Sequence, residues 1–427
     1  MRIFVTGAAG MIGEVLVPFL LDAGHEVTAL VRSPRNIAYP HPNLKWVLGD
    51  VRDAHQLMKT MAGSDFVVHL AARKADEPDS HDINVVGTKN VVEVAEKCAV
   101  RGIIHISTIS TKFLNRGTYG RTKQEADEIV IGSTVPSVIL KLSVVYRDFS
   151  SGIVGSMARF TKLPFVPLVG SGKATSRPII TEDVARAIAC VIQKPFVGSA
   201  QYELGGPDEV TLNELVDAVA FEAHGKCARI MHIPIPVGFF LARVFSLILS
   251  RPPITASNIV GMNEVASVDP EPFFVRYDFH PRSLESGLAH IKKTERQSEG
   301  ESKSILQYVS SGRKVHDFYV HMYEKAITRN GLHTNTLDAR LTRNQVLLGA
   351  FDAVTKFTSP RGVFQKKMLI AAAIVESTPA SSDIFLPKSR SFFSIVLTSV
   401  RIGILSACKL VVGIILFCLP GVHSKNA

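Results

Sequence analysis

The sequence of 427 residues is poor in cysteine, has a single tryptophan and contains no low-complexity tract. Its five cysteines, Cys98, Cys190, Cys227, Cys408 and Cys418, are odd in number and scattered, with no Cys-x-x-Cys pair. That pattern argues against a disulfide framework and fits a reducing compartment. No set of His, Cys, Asp and Glu has metal-ligand spacing, so no metal site is expected. Trp46 stands alone and offers no stacking platform for bases. No internal repeat is present. The N-terminus is read as carrying no signal peptide, because residues 1–3 run straight into a strand and Gly7 interrupts any apolar stretch.

Net charge is also small over most of the chain. The net charge is +10, and residues 298–427 alone hold 16 Lys and Arg against 8 Asp and Glu. The first 297 residues are therefore almost neutral, and the basic character belongs to the tail. Such a tail suits nucleic acid or an anionic membrane surface. The apolar runs beside it, and the lack of interleaved aromatics, favour the membrane and leave nucleic acid as a distant third reading.

What is present begins at once. Residues 2–5 read as a short apolar strand, followed by Thr6-Gly7-Ala8-Ala9-Gly10-Met11-Ile12-Gly13 and an apolar-periodic helix through Leu21. After the stop at Gly24 a second strand covers Glu26–Val31. Strand, glycine turn, helix and strand is the context in which this motif binds a dinucleotide. Gly7 permits the tight turn, Gly10 the approach of a pyrophosphate, and Gly13 close packing of helix on sheet. The helix start at Met11 and Ile12 offers unpaired N–H groups and positive dipole charge to the anion. At the end of the second strand, Val31-Arg32-Ser33-Pro34-Arg35 has no carboxylate for a ribose hydroxyl. Arg32 and Arg35 could clamp a 2′-phosphate, with Ser33 donating to it, or they are two solvated loop arginines. NADP(H) is the preferred cofactor and NAD(H) the second choice.

Further on, the sequence resembles the extended short-chain dehydrogenase/reductase superfamily, in its NAD-dependent epimerase/dehydratase branch. Gly49-Asp50-Val51-Arg52-Asp53 is similar to the adenine-edge motif, with Asp50 as the implied contact beside Val51. Asp65-Phe66-Val67-Val68-His69-Leu70-Ala71-Ala72 resembles the fourth strand, whose small residues, Ala71 among them, let the cofactor pass. Asn84-Val85-Val86-Gly87-Thr88-Lys89-Asn90, Asp183-Val184-Ala185 and Tyr202-Glu203-Leu204-Gly205-Gly206 follow in family order. The resemblance covers about residues 1–290 and implies an α/β fold: a doubly wound parallel Rossmann sheet with a small α-rich substrate lobe. Residues 255–268 with Pro281-Arg282-Ser283-Leu284-Glu285 are loosely similar to the atypical subgroup related to an accessory subunit of respiratory complex I.

The expected catalytic pair is Tyr119 and Lys123, at i and i+4 on one helix face. A nearby ammonium favours the phenolate and would lower the tyrosine pKa, making Tyr119 an acid/base toward a hydroxyl or carbonyl. In the resembling family this lysine also holds the nicotinamide ribose. The resemblance places Thr108, with Ser107 as the alternative, at the hydroxyl that polarises the substrate oxygen. It also offers Arg177 as a substrate-facing arginine, against a structural ion pair with Asp183 or Glu182. His69 and His105 are read as core histidines. Two departures stand out: Lys141-Leu142-Ser143-Val144-Val145-Tyr146-Arg147 lacks the family's Arg-Pro and Val-Tyr-Gly, and the interval from Thr108 to Tyr119 is short.

The expected organisation is a dinucleotide-binding domain at 1–150, a substrate lobe at 151–294, a polar linker at 295–303, and a helical basic extension at 304–427. Thr211 and Glu214 form an expected capping box. Residues 236–250 form a very apolar helix, either a core or dimer helix or a wall facing a greasy substrate or a bilayer. Residues 391–419 are mostly apolar, with Arg401 and Lys409 their only charges. They read as a membrane-associating segment, by a tail anchor, a partial hairpin or an in-plane helix, against burial in a soluble core. The expectation is thus an NADP(H)-dependent enzyme on the cytoplasmic face of a membrane. Its small-molecule substrate is a sterol, lipid or isoprenoid alcohol, and a homodimer is left open. Alternatives are a nucleotide-sugar epimerase or dehydratase and a non-catalytic NADPH-binding scaffold or assembly protein.

Overall fold

A computed structural model describes residues 1–309, apart from 34–40, 74–78, 195–197, 249–254 and 265, then 363–376 and a few positions between 310 and 362. Seven strands make one parallel sheet: β1 Arg2–Thr6, β2 Glu26–Val31, β3 Leu44–Leu48, β4 Phe66–His69, β5 Gly102–Thr108, β6 Ser137–Leu142 and β7 Ser199–Leu204. Their spatial order is β3-β2-β1-β4-β5-β6-β7. Strand order therefore reverses between β1 and β4, and a crevice opens there beyond the carboxyl ends of the strands.

Both faces of the sheet are covered, which is why β1, β4 and β5 are buried along nearly their whole length rather than at alternate residues. Ile3 and Val5 share one core with Leu16 and Leu20 of α1 (Gly13–Asp22) and with Val184 and Ile188 of α6 (Thr181–Gln193). Phe4, Val67, Ile103 and Ile139 point the other way. They pack on α2 (Ala54–Met61), α3 (Gly87–Lys97) and α4 (Gly117–Ile131) through Leu57, Met61, Val91 and Val130. The period of two along each strand then puts Thr6, His69, His105, Ser107 and Lys141 on this second face as well. These five polar residues sit at the ends of the strands where the crevice lies, under α3 and α4.

A smaller lobe contains α5 (Gly152–Phe160) and α7 (Leu212–His224), with a core of Tyr146, Val154, Leu212, Leu215 and Leu288. The capping box forms as expected. Glu214 N donates to Thr211 Oγ1 at 3.2 Å and Thr211 N donates to the Glu214 carboxylate at 2.7 Å. Gly225, in the left-handed region at φ +69°, ends that helix.

Two expectations are corrected. The apolar helix is α8 (Ile235–Ile248), but it is no core helix: Val237, Phe239 and Phe240 are exposed and only Gly238 and Ala242 are buried between Ile235 and Val244. Residues 295–303 are not a linker. After α9 (Ala256–Asn263) and α10 (Glu271–Tyr277), α11 runs unbroken over Leu284–Val309. Its Glu301 makes a buried ion pair of 2.6 Å with Lys367 on α12 (Val363–Glu376). Charge and polarity mark a solvated helix as readily as a loop, and one glycine does not break it. Residues 391–419 lie outside the described residues, among which no helix is long and apolar enough to cross a membrane.

Candidate dinucleotide and catalytic site

Beyond Thr6 the chain turns sharply. Gly7 has φ +67°, and a Cβ there would stand 2.7 Å from the Ala71 nitrogen, so the turn presses against the segment following β4. Ala71 N donates in turn to Thr6 Oγ1 at 3.2 Å. Gly13 has closer neighbours still: a Cβ would lie 2.5 Å from the carbonyl oxygens of Gly7 and Ala8. It thus admits the loop's own carbonyls, a tighter constraint than the expected packing of helix on sheet. Gly10 N donates to Gly7 O at 2.9 Å and Glu14 N to Gly10 O at 2.9 Å. The amides of Met11, Ile12 and Gly13 have no acceptor among the described residues. A helix N-terminus with three spare amides, no obstructing side chain and a place at the reversal of strand order fits a dinucleotide diphosphate.

At the adenine end, Arg32 is exposed just past β2. Asp50 is already engaged: Arg52 donates to it from N and Nε at 3.0 Å and from Nη2 at 2.7 Å. These bonds, with a smaller contribution from the charge of Arg32, hold the Asp50 carboxyl below its ordinary range. Val51 is buried, and its carbonyl accepts from Asn90 Nδ2 at 3.1 Å. Arg35 lies outside the described residues.

The catalytic candidates meet at the start of α4. Thr108 ends β5, and its hydroxyl caps the short turn Ile109–Lys112 by accepting from Ser110 N at 3.2 Å while lying 3.2 Å from Ser110 Oγ. Ser110, which the sequence reading passed over, therefore shares this position. The turn abuts α4, since a Cβ on Gly120 would sit 2.7 Å from Ser110 O. Ser107 is buried beneath, on the opposite strand face from Thr108.

Tyr119 and Lys123 share a helix face, but the expected effect of one on the other does not occur. Lys123 is buried, donates to Ile106 O at 2.8 Å and lies 3.2 Å from His105 Nε2. Tyr119 is pushed up to about 12 by burial, with the negative charge of Asp127 adding to the rise. The ammonium has been drawn to the sheet, and the phenol keeps its proton. Burial brings Lys123 down to about 8 against the opposing charge of Asp127. Asp127 itself was overlooked, although Tyr119-xxx-Lys123-xxx-Asp127 is a legible stripe at i, i+4 and i+8.

The remaining candidates divide. His69 is a satisfied core histidine, with Thr6 Oγ1 2.7 Å from Nδ1 and Thr88 Oγ1 3.0 Å from Nε2. His105 differs from it, because its Nδ1 is buried without a partner and its Nε2 faces Lys123. Arg177 is occupied by Pro207 O at 2.7 Å and Glu209 at 3.1 Å, so its ion pair is with Glu209 rather than Asp183 or Glu182. Asp183, buried, accepts instead from Arg282 N at 2.6 Å. Arg147, at the family departure, pairs with Asp148 at 2.9 Å and with Glu14 in the first turn of α1, tying the loop after β6 to the dinucleotide helix. Asn84 joins the segment after β4 to α4, accepting from Arg73 N at 2.7 Å and donating to Thr122 Oγ1 at 3.0 Å. Among the described residues no group of His, Cys, Asp and Glu could hold a metal ion.

Comparison with known proteins agrees with this fold. An Escherichia coli O157:H7 protein named N-acetyl-alpha-D-glucosaminyl-diphospho-ditrans,octacis-undecaprenol 4-epimerase is 25% identical over 269 residues, 58% of this chain and 80% of that one. Subunit 9 of the NADH dehydrogenase [ubiquinone] 1 alpha subcomplex of Arabidopsis thaliana mitochondria is 26% identical over 268 residues; the match covers 58% of this chain but just 64% of the relative. In structure, the dTDP-glucose 4,6-dehydratase DesIV of Streptomyces venezuelae, solved with NAD and TYD bound, superposes with a TM-score of 0.56 at 22% identity, over 70% of this chain and 98% of that one. The profile of the NAD dependent epimerase/dehydratase family matches residues 3–205, and over that region the chain is similar to this family.

Proposed function

We propose that the protein is a nicotinamide-dependent oxidoreductase or epimerase acting on a hydroxyl or carbonyl of a small molecule. Tyr119 is its acid/base, Lys123 holds the cofactor ribose and tunes the site, and Thr108 with Ser110 beside it addresses the substrate oxygen. The observation that carries this reading is the row of spare amides at Met11, Ile12 and Gly13, set at the reversal of strand order. A bound nicotinamide supplies the carbon that gives or takes a hydride. Position and protons are the chain's own contribution. With its hydroxyl near 12, Tyr119 is an O–H donor at neutral pH and starts from the side of the reaction in which a carbonyl oxygen is protonated. Lys123 uses two of its three hydrogens on Ile106 O and His105, leaving one for a ribose hydroxyl.

The absence of a carboxylate after β2, and the exposed Arg32 in its place, support NADP(H), with NAD(H) as the second cofactor. The exposed Val237, Phe239 and Phe240 of α8 support an apolar substrate and attachment to a membrane. So do the basic excess after residue 298 and the apolar run at 391–419. The name of the undecaprenol-linked epimerase points the same way, and unites the lipid and sugar alternatives in one substrate class. On this reading the chain lies at the cytoplasmic face of the membrane through its C-terminal segment.

One observation favours a second reading, a non-catalytic NADPH-binding scaffold: Lys123 is turned into the sheet and Tyr119 is left with a raised pKa. Turnover of Tyr119→Phe decides between them. The enzyme loses its activity while still binding cofactor; a native protein that binds NADPH tightly and turns over no lipid or sugar-linked alcohol or ketone is a scaffold.

A further inference from the structure

The crevice side of the sheet holds more buried polar chemistry than the proposed reaction uses. His69, His105 and Lys141 lie on the face under α4, and that helix presents Lys123 and Asp127 to them one turn apart. Asp127 is 2% exposed and its oxygens make no hydrogen bond among the described residues. Oδ1 stands 3.5 Å from His105 Nε2, and Oδ2 stands 3.5 Å from Lys141 Nζ. The same His105 Nε2 is 3.2 Å from Lys123 Nζ. One ring nitrogen therefore separates a buried ammonium from a buried carboxylate. It cannot accept from Lys123 and donate to Asp127 at once.

We infer that Asp127 is a positioning residue acting on Lys123 through His105, the counter-charge that lets an ammonium be held on the dry face of β5 against the Ile106 carbonyl. An ammonium buried with no anion nearby gives up its proton instead. The titratable groups facing Lys123 are Tyr119 and Asp127 on α4, His69 on β4, His105 on β5 and Lys141 beyond it on β6. Burial keeps both histidines neutral and Tyr119 protonated, so Asp127 is the anion of the set. Lys141 competes for it from the partly exposed edge of the cluster. His105, with a lone pair toward Lys123 and Nδ1–H left without a partner, is the neutral spacer.

The inference rests on the proposed function only for the part Lys123 plays in holding the cofactor. NADH binding is measured by calorimetry on the full chain from about pH 6 to about pH 10, with the unfolding midpoint followed in parallel. In the wild type, affinity falls as Lys123 loses its proton near pH 8, and Lys123→Met removes the fall. Asp127→Asn moves the fall down by about one pH unit or more, Asp127→Glu restores it, and Lys141→Met moves it up. A natively folded Asp127→Asn with its fall at the wild-type pH overturns the inference. If that variant does not fold, a Lys141→Met fall that stays put or drops does the same. Should neither NADH nor NADPH bind, the dinucleotide reading fails, and the Lys123 titration is read from stability alone. A lysine lowered by burial makes stability rise with pH above its folded pKa, and Asp127→Asn must start that rise earlier. Retained turnover in Tyr119→Phe would sink the proposed reaction and leave the role of Asp127 standing.

Discussion

His69 and His105 stack with ring centroids 5.2 Å apart and planes inclined by 28°, at a position where β4 and β5 are in register. Both rings are buried, and both are neutral because burial penalises the charged form. His105 is brought down to about 4 and His69 well below its ordinary value. In the unfolded chain both titrate near 6.5. The unfolded state therefore binds more protons on the acid side of that value, and folding stability drops as pH falls toward 4. For His105 alone the loss approaches about 3 kcal/mol at the bottom of the window. Denaturant midpoints measured from pH 7 downward should show this decline, and His105→Gln should flatten it. A stability that is level down to about pH 4.5 would mean that these imidazoles are not the neutral core groups described.

Tyr119 and Lys123 predict an asymmetric pH–rate profile. The phenol, near 12, does not limit the rate at ordinary pH, whereas Lys123, near 8, sets the alkaline limb. Tyr119→Phe should lower kcat by about 10²–10⁴-fold, with Kd for the cofactor nearly unchanged. A profile whose alkaline limb lies well above pH 9 would show that Lys123 is more stabilised as an ammonium than its burial implies.

Gly13 offers a test of the loop itself. Alanine there would force a Cβ to within 2.5 Å of two backbone oxygens, costing about 1–3 kcal/mol of stability and most of the cofactor affinity. Gly261→Ala, inside the helix Ala256–Asn263 where nothing lies within 4 Å, is the control: it should leave cofactor affinity unchanged and stability unchanged or slightly raised. Equal effects at both positions would contradict the account of the turn.

Arg32 governs the choice of cofactor. Arg32→Ser should weaken NADPH by about 10–100-fold, the worth of a charge-assisted bond, and leave NADH within a small factor. The comparison is a pair of titrations at one ionic strength. Equal losses for the two nucleotides would return Arg32 to the role of a solvated loop residue.

Attachment to a membrane predicts that the full chain sediments with vesicles rich in anionic lipid and is partly released by salt. A chain ending before Ser391 should stay in solution. If the two forms partition alike, the apolar run is not the attachment.

Much of the fold could be read from the sequence because backbone demands are local. Glu26–Val31 is the second strand in both, and Gly7, Gly10 and Gly13 mark the turn wherever such a turn occurs. What escaped notice depends on where long side chains end. Spacing places Lys123 below Tyr119 but does not say that a four-carbon stem reaches Ile106 O and His105, a strand away. Arg177 finds Glu209, 32 positions on, through the pairing of Thr175–Ser176 with Val210–Thr211. The run at 295–303 is polar enough for a linker, and only the far-off Lys367 shows why Glu301 is buried in a helix. Asp127 alone was within reach, at the third step of the Tyr119 stripe.

The most direct measurement is a calorimetric titration of NADPH, then NADH, into the full-length wild type and Gly13→Ala. Saturable binding of one nucleotide per chain, a raised melting temperature, and loss of both in the variant are the predicted results. No heat and no shift in melting temperature with either nucleotide in large excess would contradict the claim that the amides after Gly10 receive a diphosphate.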